Sequence, residues 1–299
     1  MSTVVALGGN ALMRPGERGT AAEQLANLRR AVTALQPLLA EPGLVITHGN
    51  GPQVGNELLR QERAAEEAPP LPLWLAVAQT QAEIGALIAA ELRPALAERE
   101  TVCVLTHVRV AADDPAFDRP TKPIGPFYSA EQAERLERDR GWALAADANR
   151  GHRRVVPSPA PLEIVELAAI RQLAGAGTVT IACGGGGIPV VRRGGRLSGV
   201  DAVIDKDRAS ALLARELEAE RLIIITGVPA VYRRFGAEDQ EEIRELSRSD
   251  AEALLPQLAE GSMRPKIESA LGFAGETLIT NIDSLEGTLG GNAGTRVRP

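Results

Sequence analysis

The sequence contains very little lysine. Among its 33 basic residues only Lys122, Lys206 and Lys266 are lysines, and the rest are arginines. Arginine replaces lysine at little cost wherever a solvated cation is sufficient, but not where a compact, rotatable ammonium must meet one particular atom. Each retained lysine lies beside Pro, Gly or Asp, in a segment predicted to be a loop or the end of an element. The three lysines are therefore candidates for chemistry; for any one of them, chance retention is the alternative.

Cysteine, histidine and aromatic residues are scarce as well. Cys103 and Cys183 lie in apolar, strand-like runs, which favours small buried side chains over a disulfide or a metal site. The histidines lack the spacing and the Cys or acidic neighbours of a zinc site, so we expect structural or hydrogen-bonding roles for His48, His107 and His152. With only 3% aromatic residues, the core must be built from aliphatic side chains, as in parallel sheets buried on both faces. No metal centre is expected, and a reducing cytoplasm is favoured.

Charge and hydropathy disfavour two classes of partner. The net charge of -6 argues against a nucleic acid, and the densest basic patch, residues 150–154, is too short to change this. The most apolar stretch, residues 71–92, carries Gln79, Gln81 and Glu83 near its middle, so it is predicted to be a buried helix and not a membrane span. Residues 4–7 run directly into glycines and indicate a first strand, not a signal peptide.

Strand, glycine turn and helix alternate along the chain, which predicts an α/β fold with a largely parallel sheet. Thr20 and Glu23 form a capping-box pattern, and the apolar side chains that follow at helical spacing are Leu25, Leu28, Val32, Leu35 and Leu39. Short apolar runs predict strands at residues 44–47, 102–106, 179–183, 222–226 and 277–280. A change in composition near residues 113–115 indicates an inserted subdomain over residues 115–156.

Three glycine-rich turns follow predicted strand ends. They comprise Gly8, Gly9 and Asn10; Gly49, Asn50 and Gly51; and residues 184–187. Glycine lets backbone N–H groups surround an anion, and a helix N-terminus adds positive dipole character, so the turns could bind phosphate or carboxylate oxygens. Tight turns without a ligand are the alternative. Residues 49–55 match the dinucleotide fingerprint poorly and no Walker A loop occurs, so phosphate chemistry here requires another design.

Lysines and backbone N–H groups suit phosphoryl transfer, in which the protein positions two anions and neutralises developing charge. Asp205 and Asp207 flank Lys206, so one carboxylate could orient the ammonium groups or help to hold a hydrated magnesium ion. A helix N-cap is the structural alternative for Asp207. The sequence offers no strong general base, which fits an acceptor that is already an anion.

Seven ordered motifs resemble those of the carbamate kinases, within the amino acid kinase superfamily, and span almost the whole chain. They are ALGGNA at residues 6–11, HGNGPQVG at 48–55, TKPIGPF at 121–127, RVVPSP at 154–159, CGGGGIPVV at 183–191, VIDKD at 203–207 and GSMRPKI at 261–267. The Lys122 motif matters most, because related kinases of acetylglutamate, glutamate, aspartate and UMP typically have a lysine before the first glycine pair, where this chain has Ala6. The resemblance implies an open three-layer α/β/α sandwich, a homodimer, and reversible transfer of the ATP γ-phosphoryl group to carbamate.

The resemblance also implies a single domain over residues 1–299 in two halves. Residues 1–175 would bind carbamate and include the protruding subdomain with Lys122, and residues 176–299 would bind ATP or ADP, with Mg²⁺ carried by the nucleotide. The implied catalytic residues are Lys122, Lys206, Lys266 and Asp207; the implied substrate-binding residues are Gly8, Gly9, Asn10, Gly49, Asn50 and Gly51; and those near adenine or ribose are Gly227, Val228, Tyr232, Met263 and Pro265.

The chain departs from the family pattern at His152, at Ala82 and Glu83, and over residues 279–286. These departures leave all three lysines in place. Two other functions remain open at this stage. A kinase for another small carboxylate or phosphate would keep the fold and the turns, and a non-catalytic nucleotide-binding protein would have no evident reason to retain the lysines.

Overall fold

The computed structural model describes residues 2–14, 16–146, 151–258 and 263–298. Arg150 and residues 261–262, which belong to motifs quoted above, lie outside this part of the chain, as does the side chain of Asn10. The helices are α1 Ala21–Leu35, α2 Gly51–Arg63, α3 Leu73–Leu92, α4 Ala130–Arg140, α5 Leu167–Gly175, α6 Lys206–Glu216, α7 Arg248–Leu254, α8 Arg264–Phe273 and α9 Leu285–Leu289. The strands are β1 Thr3–Leu7, β2 Leu44–His48, β3 Thr101–Cys103, β4 His107–Arg109, β5 Lys122–Tyr128, β6 Leu144–Ala146, β7 His152–Val156, β8 Glu163–Ile164, β9 Val179–Ile181, β10 Ile188–Arg193, β11 Arg196–Gly199, β12 Arg221–Ile225, β13 Val231–Arg233, β14 Glu241–Ile243, β15 Glu245–Leu246, β16 Glu276–Thr280 and β17 Thr295–Val297.

An eight-stranded central sheet has the order β15-β17-β16-β12-β1-β2-β9-β3. Its strands from β16 to β3 pair in parallel, and β17 is antiparallel to β16. Successive side chains of a strand point to opposite faces, so β1 buries Val4 and Ala6 with α6 and α8, and Val5 and Leu7 with α1 and α3. The predicted α/β/α sandwich with a largely parallel sheet is confirmed.

The capping-box prediction is also confirmed, because the Thr20 side chain accepts a hydrogen bond from the Glu23 N–H and the Glu23 carboxylate accepts from the Thr20 N–H. The helix is shorter than the apolar pattern indicated. It ends at Leu35, and a 3-10 turn over Gln36–Leu38 with Pro at its start separates Leu39 from it.

Helix α3 is the buried helix predicted from the most apolar stretch. Among the described residues, Leu73–Ala95 is long and apolar enough to cross a membrane by length and composition alone. Its central Gln81 accepts a hydrogen bond from the Thr106 N–H (2.6 Å) and donates one to the Gly184 carbonyl (2.7 Å). A buried glutamine that is hydrogen-bonded to the protein backbone fits a core helix of the sandwich.

Two differences concern the sheets. A second, four-stranded sheet, β11-β10-β4-β8, was not predicted, because its short strands join segments about 80 residues apart, such as Ile188 and His107. The predicted strand over residues 179–183 ends at Ile181, because Cys183 adopts a left-handed conformation (φ 49°) that starts a 3-10 turn.

Lys122 lies on a three-stranded sheet, which is separate from the eight-stranded and four-stranded sheets and from the β13-β14 pair. Strand β7 lies between β5 and β6 in this antiparallel sheet, and α4 connects β5 to β6. Strand β5 packs on α2 with no space for a side chain between the backbones: a Cβ built on Gly55 would lie 2.1 Å from the Cα of Gly125. This contact fixes the strand that begins with Lys122 against the helix that follows the second glycine turn.

Candidate active site

The first two glycine turns meet where β1 and β2 end. Leu7 and His48 are paired at the ends of these parallel strands, and the Gly49 N–H donates to the Leu7 carbonyl (3.1 Å). A Cβ built on Gly8 would lie 2.6 Å from the Ile225 carbonyl oxygen, whereas one on Gly9 would meet nothing within 4 Å. No larger residue fits at Gly8 because its backbone packs against the end of β12, whereas Gly9 borders open space. The backbone of Asn10 continues the turn as part of a 3-10 helix, Gly9–Ala11.

Helix α2 starts directly from the second turn. Asn50 is its N-cap, but the Asn50 side chain makes no capping hydrogen bond and instead donates to the Thr80 hydroxyl at 3.0 Å. Asn50 is 2% exposed, and its side-chain amide links the second turn to α3 through this buried hydrogen bond. The backbone N–H groups at the start of α2, beginning with Gly51, thus lack a side-chain cap, which is the arrangement found at anion-binding helix N-termini.

The three lysines converge on two carboxylates. The Lys122 ammonium lies 2.5 Å from Asp205 Oδ2, and the Lys266 ammonium lies 3.1 Å from Asp207 Oδ2. Lys206 pairs with Asp207 Oδ1. The methylenes of Lys206 lie against the second turn, 3.4 Å from the position of a Cβ on Gly49. Lysines from β5, α6 and α8 are thereby gathered next to the glycine turns.

Asp205, and not Asp207, caps α6. The Asp205 Oδ1 accepts hydrogen bonds from the N–H groups of Asp207 (2.9 Å) and Arg208 (3.3 Å). The proposed N-cap role of Asp207 is therefore wrong, since the helix begins at Lys206 and Asp207 lies in its first turn. The direct contact of Asp205 with Lys122 was missed. The pattern Asp-Lys-Asp was the available signal, but it does not reveal which carboxylate meets which lysine.

Burial and opposite charges set the ionisation of this cluster. Burial alone would raise the pKa of both carboxyl groups, but Lys122 beside Asp205, and Lys206 beside Asp207, hold each pKa below its usual range. Burial lowers the pKa of Lys206, and Asp207 offsets only part of this shift. For Lys266 the attraction of Asp207 and Asp205 outweighs burial and raises its pKa. Both carboxylates are thus ionised and held by ammonium groups at neutral pH.

The third glycine turn supports the second one. A Cβ on Gly184 would lie 2.4 Å from His48 Nε2, and one on Gly185 would lie 2.4 Å from the Asn50 amide nitrogen. His48 is fully buried, and its Nδ1 lies 3.1 Å from the Gly49 carbonyl, so we assign the Nδ1–H tautomer. Burial lowers the pKa of His48 to about 4. The ring is therefore neutral at physiological pH and stabilises the second turn.

The residues expected near the nucleotide form two groups. Met263 and Pro265 lie at the start of α8, within one turn of Lys266. Gly227 and Val228 follow β12, and Tyr232 lies on β13, where its ring packs 5.8 Å from that of Phe235. Exposed Gly227 also borders a cavity of about 220 Å³ whose other residues include Arg14, Asn27, Arg30 and Asn281.

Ammonium groups are the partners of both carboxylates at this centre, Asp205 and Asp207. In the part of the chain that the structure describes, no group of three or more His, Cys, Asp or Glu side chains could hold a metal ion. His107 pairs instead with Glu166, with 2.9 Å between Nδ1 and Oε1.

Comparison with known proteins identifies the family. The model of the amino acid kinase family matches residues 1–280. The chain belongs to the amino acid kinase family. Among the relatives of this amino acid kinase, a carbamate kinase from Halobacterium salinarum is 46% identical, with 99% of this chain and 98% of the relative covered. A carbamate kinase from Trichomonas vaginalis is 40% identical with full coverage of both chains.

Solved structures agree with this assignment. A carbamate kinase from Giardia lamblia bound to AMP-PNP is 36% identical, with a TM-score of 0.88 over 99% of this chain and 98% of that chain. The same enzyme bound to citric acid superposes with a TM-score of 0.94 at the same identity and coverage. An isopentenyl phosphate kinase from T. acidophilum, 14% identical with a TM-score of 0.55, shares the fold of this amino acid kinase.

Proposed function

We propose that this amino acid kinase is a carbamate kinase, which reversibly transfers the γ-phosphoryl group of ATP to carbamate to give ADP and carbamoyl phosphate. The observation that carries the proposal is the convergence of Lys122, Lys206 and Lys266 beside two glycine turns. Each turn leads into a helix that has no side-chain cap at its N-terminus. Full-length similarity to carbamate kinases supports the choice of acceptor. The position of Lys122 also supports it. Related kinases have a lysine before the first glycine pair, where this chain has Ala6, and here Lys122 lies on the separate three-stranded sheet instead.

In the forward direction a carbamate oxygen attacks the γ-phosphorus, and the bond from this phosphorus to the bridging oxygen of ADP breaks. The acceptor is already an anion, so no general base is needed. Backbone N–H groups of Gly9 and of the second turn would bind oxygens of carbamate and of the transferred group. Lys122, Lys206 and Lys266 neutralise the charge that develops on the phosphoryl oxygens. Mg²⁺ arriving on the nucleotide would supply further neutralisation of its phosphates.

The two halves of the chain would divide the substrates. We assign carbamate to residues 1–175, with Gly8, Gly9, Asn10, Gly49, Asn50 and Gly51 around it, and the nucleotide to residues 176–299, near Gly227, Val228, Tyr232, Met263 and Pro265. The subdomain, residues 115–156, would bring Lys122 between them. Extra side-chain contacts to the acceptor are not required, because carbamate offers only one carboxylate and one amino group to recognise.

We also propose a cytoplasmic homodimer that serves arginine metabolism. The apolar side chains of Val102 (38% exposed) and Leu105 (48% exposed) lie on and just after β3, the edge strand of the central sheet. Exposed apolar residues at a sheet edge are suited to burial against a second copy. Light scattering of the purified protein tests this, and a monomer at micromolar concentration would contradict it.

The decisive experiment is ATP formation from carbamoyl phosphate and ADP with magnesium. The wild type should form ATP, and Lys266→Ala should lose this activity, which excludes a contaminating kinase. Arg298→Ala, which removes a surface cation paired with Glu245, is the matched control and should keep it. If the wild type is inactive in this assay but phosphorylates another small carboxylate or phosphate in a substrate panel, that compound and not carbamate is the acceptor. A protein that binds ADP without any turnover would be the non-catalytic relative.

A further inference from the structure

Asp205 uses its two carboxylate oxygens for different partners. Oδ1 caps α6 through the N–H groups of Asp207 and Arg208, and Oδ2 accepts a hydrogen bond from the Lys122 ammonium at 2.5 Å. Lys122 is 83 residues away in the sequence, at the start of β5. A single side chain therefore joins the helix that carries Lys206 to the three-stranded sheet that carries Lys122.

Helix capping alone does not require an aspartate at this position. Asparagine caps a helix about as well as aspartate, because one oxygen accepting from the backbone is sufficient. The second oxygen adds a charge-assisted bond to the ammonium of a lysine whose side chain is only one-quarter exposed. An ammonium carries three N–H donors, so a partner that holds one of them also sets the direction of the other two.

We infer that Asp205 is a positioning residue that aims the Lys122 ammonium at the transferred phosphoryl group. The inference rests on the proposed function, since it names how one lysine of that site is oriented. Three ammonium groups and two carboxylates give the centre a formal charge of +1. Replacing Asp205 by Asn keeps the cap, makes the centre more positive and releases Lys122. Anion binding should then persist while turnover falls.

The test compares Asp205→Asn, Lys122→Ala and the double variant with the wild type. Asp205→Asn should lower kcat roughly 10- to 100-fold, because a misdirected group at the reacting atoms costs about this much. The Kd for ADP should stay equal or decrease, which shows that the site is still folded, while the urea midpoint should fall because Lys122 loses its ion-pair partner. The double variant should be no slower than Lys122→Ala, since a residue that acts through Lys122 has no effect once Lys122 is gone. Glu163→Gln, which removes a carboxylate paired with Arg109, is the control and should match the wild type.

A turnover-independent readout separates this inference from the proposed function. ADP with aluminium fluoride mimics the phosphoryl group in transfer, and Asp205→Asn should weaken its binding about tenfold relative to ADP alone. Three results would overturn the positioning role. They are a wild-type kcat in Asp205→Asn, a kcat of the double variant that shows the product of the two single losses, and equal weakening of ADP and of ADP with aluminium fluoride. A wild type that makes no ATP from carbamoyl phosphate would refute carbamate kinase activity, and the fluoride titration would still decide the role of Asp205.

Discussion

The close contact between Gly55 and Gly125 predicts that a larger residue at position 55 will displace Lys122. In Gly55→Ala the new methyl carbon would lie 2.1 Å from the Gly125 Cα and N and 2.9 Å from the Ile124 carbonyl carbon, all backbone atoms that no rotamer change can move. Ordinary van der Waals contact begins near 3.4 Å. Helix α2 and strand β5 must therefore separate by about 1.3 Å, which is the shortfall between these contact distances. Lys122, three residues before Gly125 on the same strand, would move with it.

Two measurable effects follow from this separation. Overpacking of this kind costs roughly 1–3 kcal/mol of unfolding free energy. Displacing a charge-stabilising group by about 1 Å costs on the order of 100-fold in turnover. We therefore expect Gly55→Ala to form ATP from carbamoyl phosphate about 100-fold more slowly, with ADP affinity within about threefold of the wild type because the residues proposed to bind the nucleotide lie on other elements.

The matched control is Gly272→Ala, also a helical glycine, for which a built Cβ meets nothing within 4 Å. It should keep wild-type kcat and gain up to about 1 kcal/mol of stability through helix propensity. Coupled ATP-formation kinetics, calorimetric ADP titration and urea unfolding of both variants provide the data. Wild-type turnover in Gly55→Ala would refute the argument that this backbone contact sets the position of Lys122.

Three further predictions concern Lys122, His48 and the two cysteines. Lys122→Arg should reduce kcat far more than ADP affinity in steady-state kinetics and calorimetry, because a planar guanidinium does not replace a compact ammonium; equal kcat would contradict the role of this lysine. Because burial lowers the pKa of His48 to about 4, the unfolded chain binds a proton that the folded chain does not between pH 6.5 and 4. The free energy of unfolding should therefore fall by on the order of 3 kcal/mol as the pH is lowered from 6.5 to 4. In urea titrations His48→Gln should show a smaller change of this free energy with pH. Cys183 is fully buried and burial raises its pKa, as it does for half-buried Cys103, so mass spectrometry should find slow alkylation of both until the protein unfolds, and rapid labelling of the native protein would contradict this.

Local sequence signals predicted the elements whose stabilising contacts are themselves local. The start of α1 depends on Thr20 and Glu23, three residues apart, and both were identified. The apolar strands of the central sheet were found within a few residues of their observed ends. The four-stranded sheet escaped prediction because β4 has three residues and its partners β8 and β10 are distant in the sequence. Pairing of such strands is decided by tertiary packing and not by propensity.

The same distinction applies to the site. Scarcity and motif context predicted the three lysines, which the structure brings together through Asp205 and Asp207. The division of labour between the two aspartates was not predictable, because either residue can cap a helix that starts one or two positions later. The side-chain direction of Asn50 likewise depends on Thr80 in α3, which no local pattern indicates.

The convergence of the lysines has a practical consequence for chemical modification. Reagents that acylate primary amines have four targets in this chain: the N-terminal amine, Lys122, Lys206 and Lys266. Every side-chain amine lies in one ion-paired cluster, so stoichiometric labelling of a lysine reports directly on access to the proposed reaction centre. Attachment to an amine-reactive surface would proceed either through the N-terminus, with the centre intact, or through the centre itself.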